Sequence, residues 1–147
     1  MTTLENIELP KVPKQSGHYL SIKQIGNIVY VSGITSKWNG EISYKGKIGK
    51  DVTIEEGYEA AKTCALNLLA VLEDYLGDLS QINQIVKVTG YVNCSEDFGD
   101  IPKVINGASD LFVKLFGKPG EHVRCAVGAA SLPGNAAVEV DVIAEIN

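Results

Sequence analysis

The period of the hydrophobic positions changes several times along the chain, and each change marks an element. Leu20 to Ile25 and Ile28 to Gly33 are short β-forming runs joined by Gly26-Asn27. Gly and Asn both accept positive φ, as a two-residue type I′ turn requires, so a β-hairpin is predicted. Residues 35–50 lose the alternation and contain Trp38, Asn39-Gly40, Gly46 and Gly49, which reads as a long loop with a small hairpin at Asn39-Gly40. From Ile54 the spacing lengthens: Ile54, Tyr58, Ala61, Ala65, Leu68, Leu72 and Leu76 recur at three- and four-residue steps, one face of a helix. Thr53 and Glu56 ahead of that run fit a capping box, and Gly77 supplies the stop.

Alternation returns over Ile85 to Cys94, where Val86, Val88 and Val92 share one face and Lys87, Thr89, Tyr91 and Asn93 the other. A second helix is predicted over 100–116, with Pro102 in its first turn and a stripe of Val104, Ile105, Ala108, Leu111, Phe112, Leu115 and Phe116. Gly107 inside it costs about 1 kcal/mol relative to Ala, which points to close packing there. Gly117 ends it, and two strands follow, Val123 to Ala130 and Ala137 to Ile146, separated by Leu132-Pro133-Gly134-Asn135. The order β-β-α-β-α-β-β predicts an α+β domain over residues 17–147, a mixed sheet with two helices on one face. Residues 1–16, with two prolines among polar spacers, read as an extended arm. No third helix is available for the other sheet face, so a homo-oligomer is expected, with Ala126, Gly128, Ala129 and Ala130 as the small residues of the contact.

A hydrophobic content of 45% supports a core of that size. No stretch reaches the ~18 apolar residues of a membrane span, and Met1 to Glu5 shows no basic region ahead of an apolar run, so a soluble cytoplasmic protein is expected. Cys64, Cys94 and Cys125 lack a C-x-x-C spacing, and His18 and His122 are far apart, so neither a disulfide framework nor a metal site is predicted. The first fifty residues carry seven lysines against three acids, and the remainder six basic residues against fifteen acids. The lysines are scattered, with Lys37, Lys45, Lys47 and Lys50 nearest to a cluster. This pattern argues against nucleic-acid binding, which draws its affinity from a concentrated basic surface.

One basic residue stands apart. Twelve of the thirteen are lysine, and Arg124 is the sole arginine. A planar, bidentate fork has carboxylate as its natural partner, either in a structural ion pair or in a ligand. Glu139 lies in the following strand, and strands joined by a short connection are usually antiparallel neighbours, which would bring the two residues close. They would then either pair with one another, or Arg124 would hold a ligand carboxylate while Glu139 places a water. Spacing alone does not choose between these.

The segment Arg124-Cys125-Ala126-Val127-Gly128-Ala129-Ala130-Ser131-Leu132-Pro133, with Val138-Glu139-Val140-Asp141-Val142-Ile143-Ala144, resembles the C-terminal signature of the RidA/YjgF family (the endoribonuclease L-PSP family). Gly17-His18-Tyr19, Gly26 to Gly33 and Val104-Ile105-Asn106 extend the resemblance over nearly all of the chain after residue 16. It implies a chorismate-mutase-like α+β fold, a homotrimer with ligand clefts between subunits, and hydrolysis of reactive enamines and imines such as 2-aminoacrylate to 2-oxo acids and ammonia, without a cofactor. Carried onto this chain, Arg124 would hold the substrate carboxylate, Glu139 would orient or activate water, and Tyr19, Ser32 and Asn106 would line the cleft.

Three departures mark a longer-looped subgroup. The cysteine that archetypal members carry two residues after the arginine is Ala126 here. Cys125 comes one step earlier, with only its backbone placed to contact ligand. The family's Ser-Gly-Gln reads Ser32-Gly33-Ile34, and the 35–50 loop is longer. The competing readings are a non-catalytic regulator binding a small carboxylate such as a 2-oxo acid, an endoribonuclease, and a chorismate mutase. The last would call for several cationic groups where this chain offers one arginine.

Overall fold

In the computed structural model, which describes residues 3–147, the alternating segments become strands. They are β1 (Ile22–Ile25), β2 (Ile28–Thr35), the short pair β3 (Lys37–Trp38) and β4 (Glu41–Ile42), β5 (Ile82–Asn93), β6 (Val123–Ala129) and β7 (Val138–Ile146). Two helices, α1 (Ile54–Leu76) and α2 (Ile101–Phe116), lie between them in the predicted order. The main sheet runs β1-β2-β7-β5-β6, and β3-β4 forms a separate two-stranded hairpin. Both helices cover one face. Val29, Val31, Val88, Val92, Val138, Val140, Val142 and Ala144 point into them and meet Cys64, Leu68 and Leu72 of α1 and Val104, Ile105 and Phe112 of α2. The fold is α+β, as the sequence predicts.

Local chemistry accounts for the helix ends. Thr53 Oγ1 accepts from the Glu56 amide (3.1 Å) and Glu56 Oε1 from the Thr53 amide (3.0 Å). This is the predicted capping box, a device in which removing the cap residue costs about 1 kcal/mol. The two helices touch at Gly107, where a Cβ would overlap the carbonyl oxygen of Tyr58. That contact is the close packing the glycine foretells.

Several expectations are corrected. At the first hairpin only Gly26 has positive φ (60°), so the turn is not type I′; glycine at the first central position with Asn27 at negative φ is the type II′ pattern. The I′ pattern appears instead at Asn39 (φ 52°) and Gly40 (φ 93°), in the predicted small hairpin. Val86 does not share the buried face of Val88, because a register shift between Ile85 and Lys87 makes it the extra residue of a bulge. Most consequential, β6 and β7 are not neighbours. β6 pairs in parallel with β5, as a strand–helix–strand crossover through α2 requires, and β7 inserts antiparallel between β2 and β5.

Nor do the small residues of β6 all lie on the uncovered face. Ala126 packs against the core, and Gly128 sits under Cys94 Sγ and Ile101. The uncovered face carries Tyr30, Tyr91, Cys125 and Val127 among Lys87, Thr89 and Asp141. From the N-terminal segment, Leu4, Ile7 and Leu9 rest against the core, and the Lys11 amide donates to Asn39 Oδ1 (3.0 Å). Among the described residues no helix is long and apolar enough to cross a membrane.

Candidate functional site

A bulge in β2 shapes the first part of the site. Val31 pairs with Val142 and Ile34 with Val140, so Ser32 and Gly33 together face the single residue between them on β7. Such an insertion bends a strand and re-aims its side chains. The Ser32 hydroxyl donates to the Leu20 carbonyl (2.6 Å), tying the strand to the segment before β1. Gly33 lies directly beside Glu139: a Cβ there would stand 2.9 Å from Glu139 Oε2, so glycine leaves the carboxylate its room. Around this point is a cavity of about 430 Å³, lined by Tyr19, Ser32, Gly33, Lys37, Pro133 and Glu139 among others.

Glu139 is the acid of this cavity and accepts no hydrogen bond among the described residues. Burial pushes its carboxyl above the usual value, and the Asp141 carboxylate two residues along the same face adds to the shift. A raised glutamate exchanges protons closer to neutrality than a free one. Tyr19 stands across the cavity with its hydroxyl oxygen accepting the Ser16 amide (3.2 Å). Hydrogen bonds from Ser16 hold the phenol below its usual value, with a smaller contribution from the Lys37 ammonium. Replacing Asp141 by Asn removes a negative charge facing Glu139 and leaves its burial in place. The carboxyl of Glu139 is therefore expected to titrate lower in Asp141→Asn, part of the way back towards 4.5, as followed by carboxyl-carbon NMR. An unmoved midpoint would show that the two carboxylates do not sense each other.

The second part lies elsewhere. Arg124 projects from β6 on the helix-covered side, and its Nη1 donates to Asn106 Oδ1 (2.8 Å) and Ser109 Oγ (3.2 Å), both on α2. No carboxylate pairs with it among the described residues; the ion pair found there is Lys103–Asp100, at 3.6 Å. Ser109 in turn lies 2.9 Å from His122 Nε2, whose Nδ1 lies 2.6 Å from the Gly120 carbonyl oxygen.

Of the predicted residues, then, Tyr19, Ser32 and Glu139 converge in the cavity, and Arg124 with Asn106 forms a separate cluster. Arg124 is level with Val142 across β5, three residues along β7 from Glu139, and β5 stands between the two strands. Strand spacing and rise put their Cα atoms about 14 Å apart, on opposite sides of the sheet. The Arg124–Glu139 proximity expected from the sequence is not present within one chain, and neither is the ion pair. Cys125, next to Arg124, points to the uncovered face opposite Thr89 and is exposed.

Ser109 and His122 were not foreseen, although the spacing carries a signal: Asn106 and Ser109 are three apart on a helix, and His122 and Arg124 two apart along a strand direction. Lys37, in the longer loop, has no such signal. Among the described residues no group of three or more His, Cys, Asp or Glu stands close enough to hold a metal ion.

Residues 3–146 match the family described as "YjgF/chorismate mutase-like, putative endoribonuclease". The chain is 40% identical to Protein TCP17 of Trypanosoma cruzi over 142 residues, covering 96% of this chain and 89% of that one. It is 29% identical to the 2-iminobutanoate/2-iminopropanoate deaminase of Dermatophagoides farinae, covering 95% and 94%. Among solved structures it is similar to the protein Atu1372, of unknown function, from Agrobacterium tumefaciens, with a TM-score of 0.89, 41% identity, and coverage of 97% and 87%.

Proposed function

This chain belongs to the YjgF/RidA family, and from that premise we propose that it hydrolyses reactive 2-imino acids and their enamine tautomers to 2-oxo acids and ammonia. The observation that carries the reading is the state of the sole arginine, which is ordered by an amide and a hydroxyl and has no carboxylate partner among the described residues. A guanidinium held in that way is a receptor for a ligand carboxylate. The similarity to a 2-imino acid deaminase supports the substrate class.

In this reading the substrate carboxylate sits on Arg124, and the iminium carbon faces the cavity of a neighbouring copy. Glu139 takes a proton from water as the oxygen bonds to that carbon, returns it to the nitrogen, and then accepts the remaining hydroxyl proton as the C–N bond breaks, so that ammonia leaves and the carbonyl forms. An iminium carbon is already electrophilic, so positioning and proton transfer suffice, without a cofactor. Tyr19 and Ser32 border the reacting group, and Asn106 serves through Arg124. Because the two halves lie on opposite sides of one sheet, a complete site needs a second copy, and a homotrimer with three such clefts satisfies that need.

The test is a coupled assay in which an amino-acid oxidase or dehydratase releases short-lived imino acids and 2-oxo acid formation is followed. The unaltered protein is expected to accelerate release, with Arg124→Ala lowering kcat/KM by roughly 10²–10³-fold. No acceleration with any imine, from a protein that still binds 2-oxo acids, would leave the binding-only reading.

A further inference from the structure

His122 is held at both ring nitrogens. A carbonyl oxygen can only accept, so the 2.6 Å contact with Gly120 requires the proton on Nδ1. In the neutral ring Nε2 is then the acceptor, and the Ser109 hydroxyl, 2.9 Å away, donates to it. That bond fixes the hydroxyl rotor. With its hydrogen committed to His122, Ser109 Oγ turns a lone pair to Arg124 Nη1 at 3.2 Å, while the other Nη1 hydrogen goes to Asn106 Oδ1 at 2.8 Å. The imidazole is itself braced edge-to-face on the buried ring of Phe112, at 6.1 Å between centroids.

Both Nη1 hydrogens are thereby occupied, and no described residue takes the Nε and Nη2 hydrogens. Those two groups form the side-on edge of the guanidinium, the edge that meets a carboxylate with two parallel bonds. The choice of neutral acceptors matters as much as their position. A carboxylate bracket would compensate the arginine charge and compete with the ligand, whereas a hydroxyl and an amide set its direction and leave its charge available.

We infer that Ser109 and His122 are positioning residues of the carboxylate site: His122 orients the Ser109 hydroxyl, and Ser109 with Asn106 holds Arg124 so that its Nε–Nη2 edge is presented as a fixed fork. The inference rests on the ligand role proposed for Arg124 and extends it to two residues that never touch the reacting atoms.

Because Arg124 is the sole arginine, its guanidinium nitrogens give the only such signals in the ¹⁵N NMR spectrum, which makes the test direct and independent of turnover. In the unaltered protein the Nη1 and Nη2 resonances are expected to be distinct, since rotation of the held group is hindered. They should merge in Ser109→Ala and in His122→Ala, and stay distinct in Ser109→Thr, which keeps the hydroxyl. Binding of 2-oxobutanoate, measured by calorimetry, should weaken about tenfold in the first two variants and recover in the third, the scale of one lost charge-assisted hydrogen bond. Adding His122→Ala to Ser109→Ala should weaken it no further, because the histidine acts through the serine. Unchanged Nη signals in both single variants would overturn the inference, as would merged signals with unchanged affinity in correctly folded protein, checked by thermal melting. A protein that binds 2-oxobutanoate and shows all these effects but hydrolyses no imine would sink the proposed reaction alone, and one that binds no 2-oxo acid would sink both.

Discussion

Two inactive variants are expected to regain activity when assembled together. Arg124→Ala removes one half of the proposed site and Glu139→Gln the other, and each homogeneous protein should be close to inactive. In one chain the two residues stand about 14 Å apart on opposite sides of the sheet, so no loop adjustment lets a single copy use both. A site formed between copies takes its arginine from one and its glutamate from the next. In assemblies formed from equal amounts of the two variants, about a quarter of the clefts combine the intact Arg124 of one with the intact Glu139 of the other. Co-expression with two different tags and purification over both removes the homogeneous trimers; each mixed trimer has one such cleft in three, so about a third of the original turnover should be recovered, with mass spectrometry under native conditions reporting the mixture. Mixed assemblies that remain inactive would place the working residues in one chain, or assign the cavity and the Arg124 cluster to unrelated tasks.

Glu139→Gln by itself should separate chemistry from binding. The glutamine keeps the size of the side chain beside Gly33 but is neutral, replaces one acceptor oxygen by an N–H donor group, and takes up no proton from water. Turnover is expected to fall by roughly 10²–10⁴-fold, the usual worth of a positioned acid–base group. Affinity for 2-oxobutanoate should change little, because the carboxylate is held by Arg124 from the other half-site. The raised carboxyl of Glu139 fits this task, since burial and the Asp141 charge bring its protonation towards neutrality and ease both the taking and the returning of the proton. Retained turnover in Glu139→Gln would remove the glutamate from the mechanism and leave substrate positioning by Arg124 to account for the rate. A loss of binding equal to that of Arg124→Ala would mean that Glu139 shapes the cleft and does no chemistry.

Much of the local structure is legible from the chain because the interactions that decide it lie within four residues. Thr53 and Glu56 cap α1 whatever the sheet does, Asn39-Gly40 turns tightly because both residues tolerate positive φ, and the apolar stripes of both helices follow from the period of the helix alone. The conspicuous candidate, a single arginine among lysines, is likewise a property of composition.

What the chain did not disclose is which strand lies beside which. Two local rules compete in the last third of the sequence: a short connection favours placing β7 next to β6, and a helical crossover favours placing β6 parallel to β5. The second prevails, and β7, whose Val138, Val140, Val142 and Ala144 are all fully buried, takes the central place between β2 and β5. Its alternation announces a strand with one buried face but carries no information on its neighbours, since strand pairing is made by residues far apart in sequence. From that one decision follow the separation of Arg124 and Glu139, the pairing of Arg124 with Asn106 and Ser109, and the need for a second copy in the proposed site. Sequence by itself determined the elements, the helix faces and the residues with unusual chemistry, through short-range sterics and hydrogen bonding. Only the tertiary structure decided which of those residues share a side of the sheet, because that depends on strand order, a long-range choice settled by the packing of the whole core.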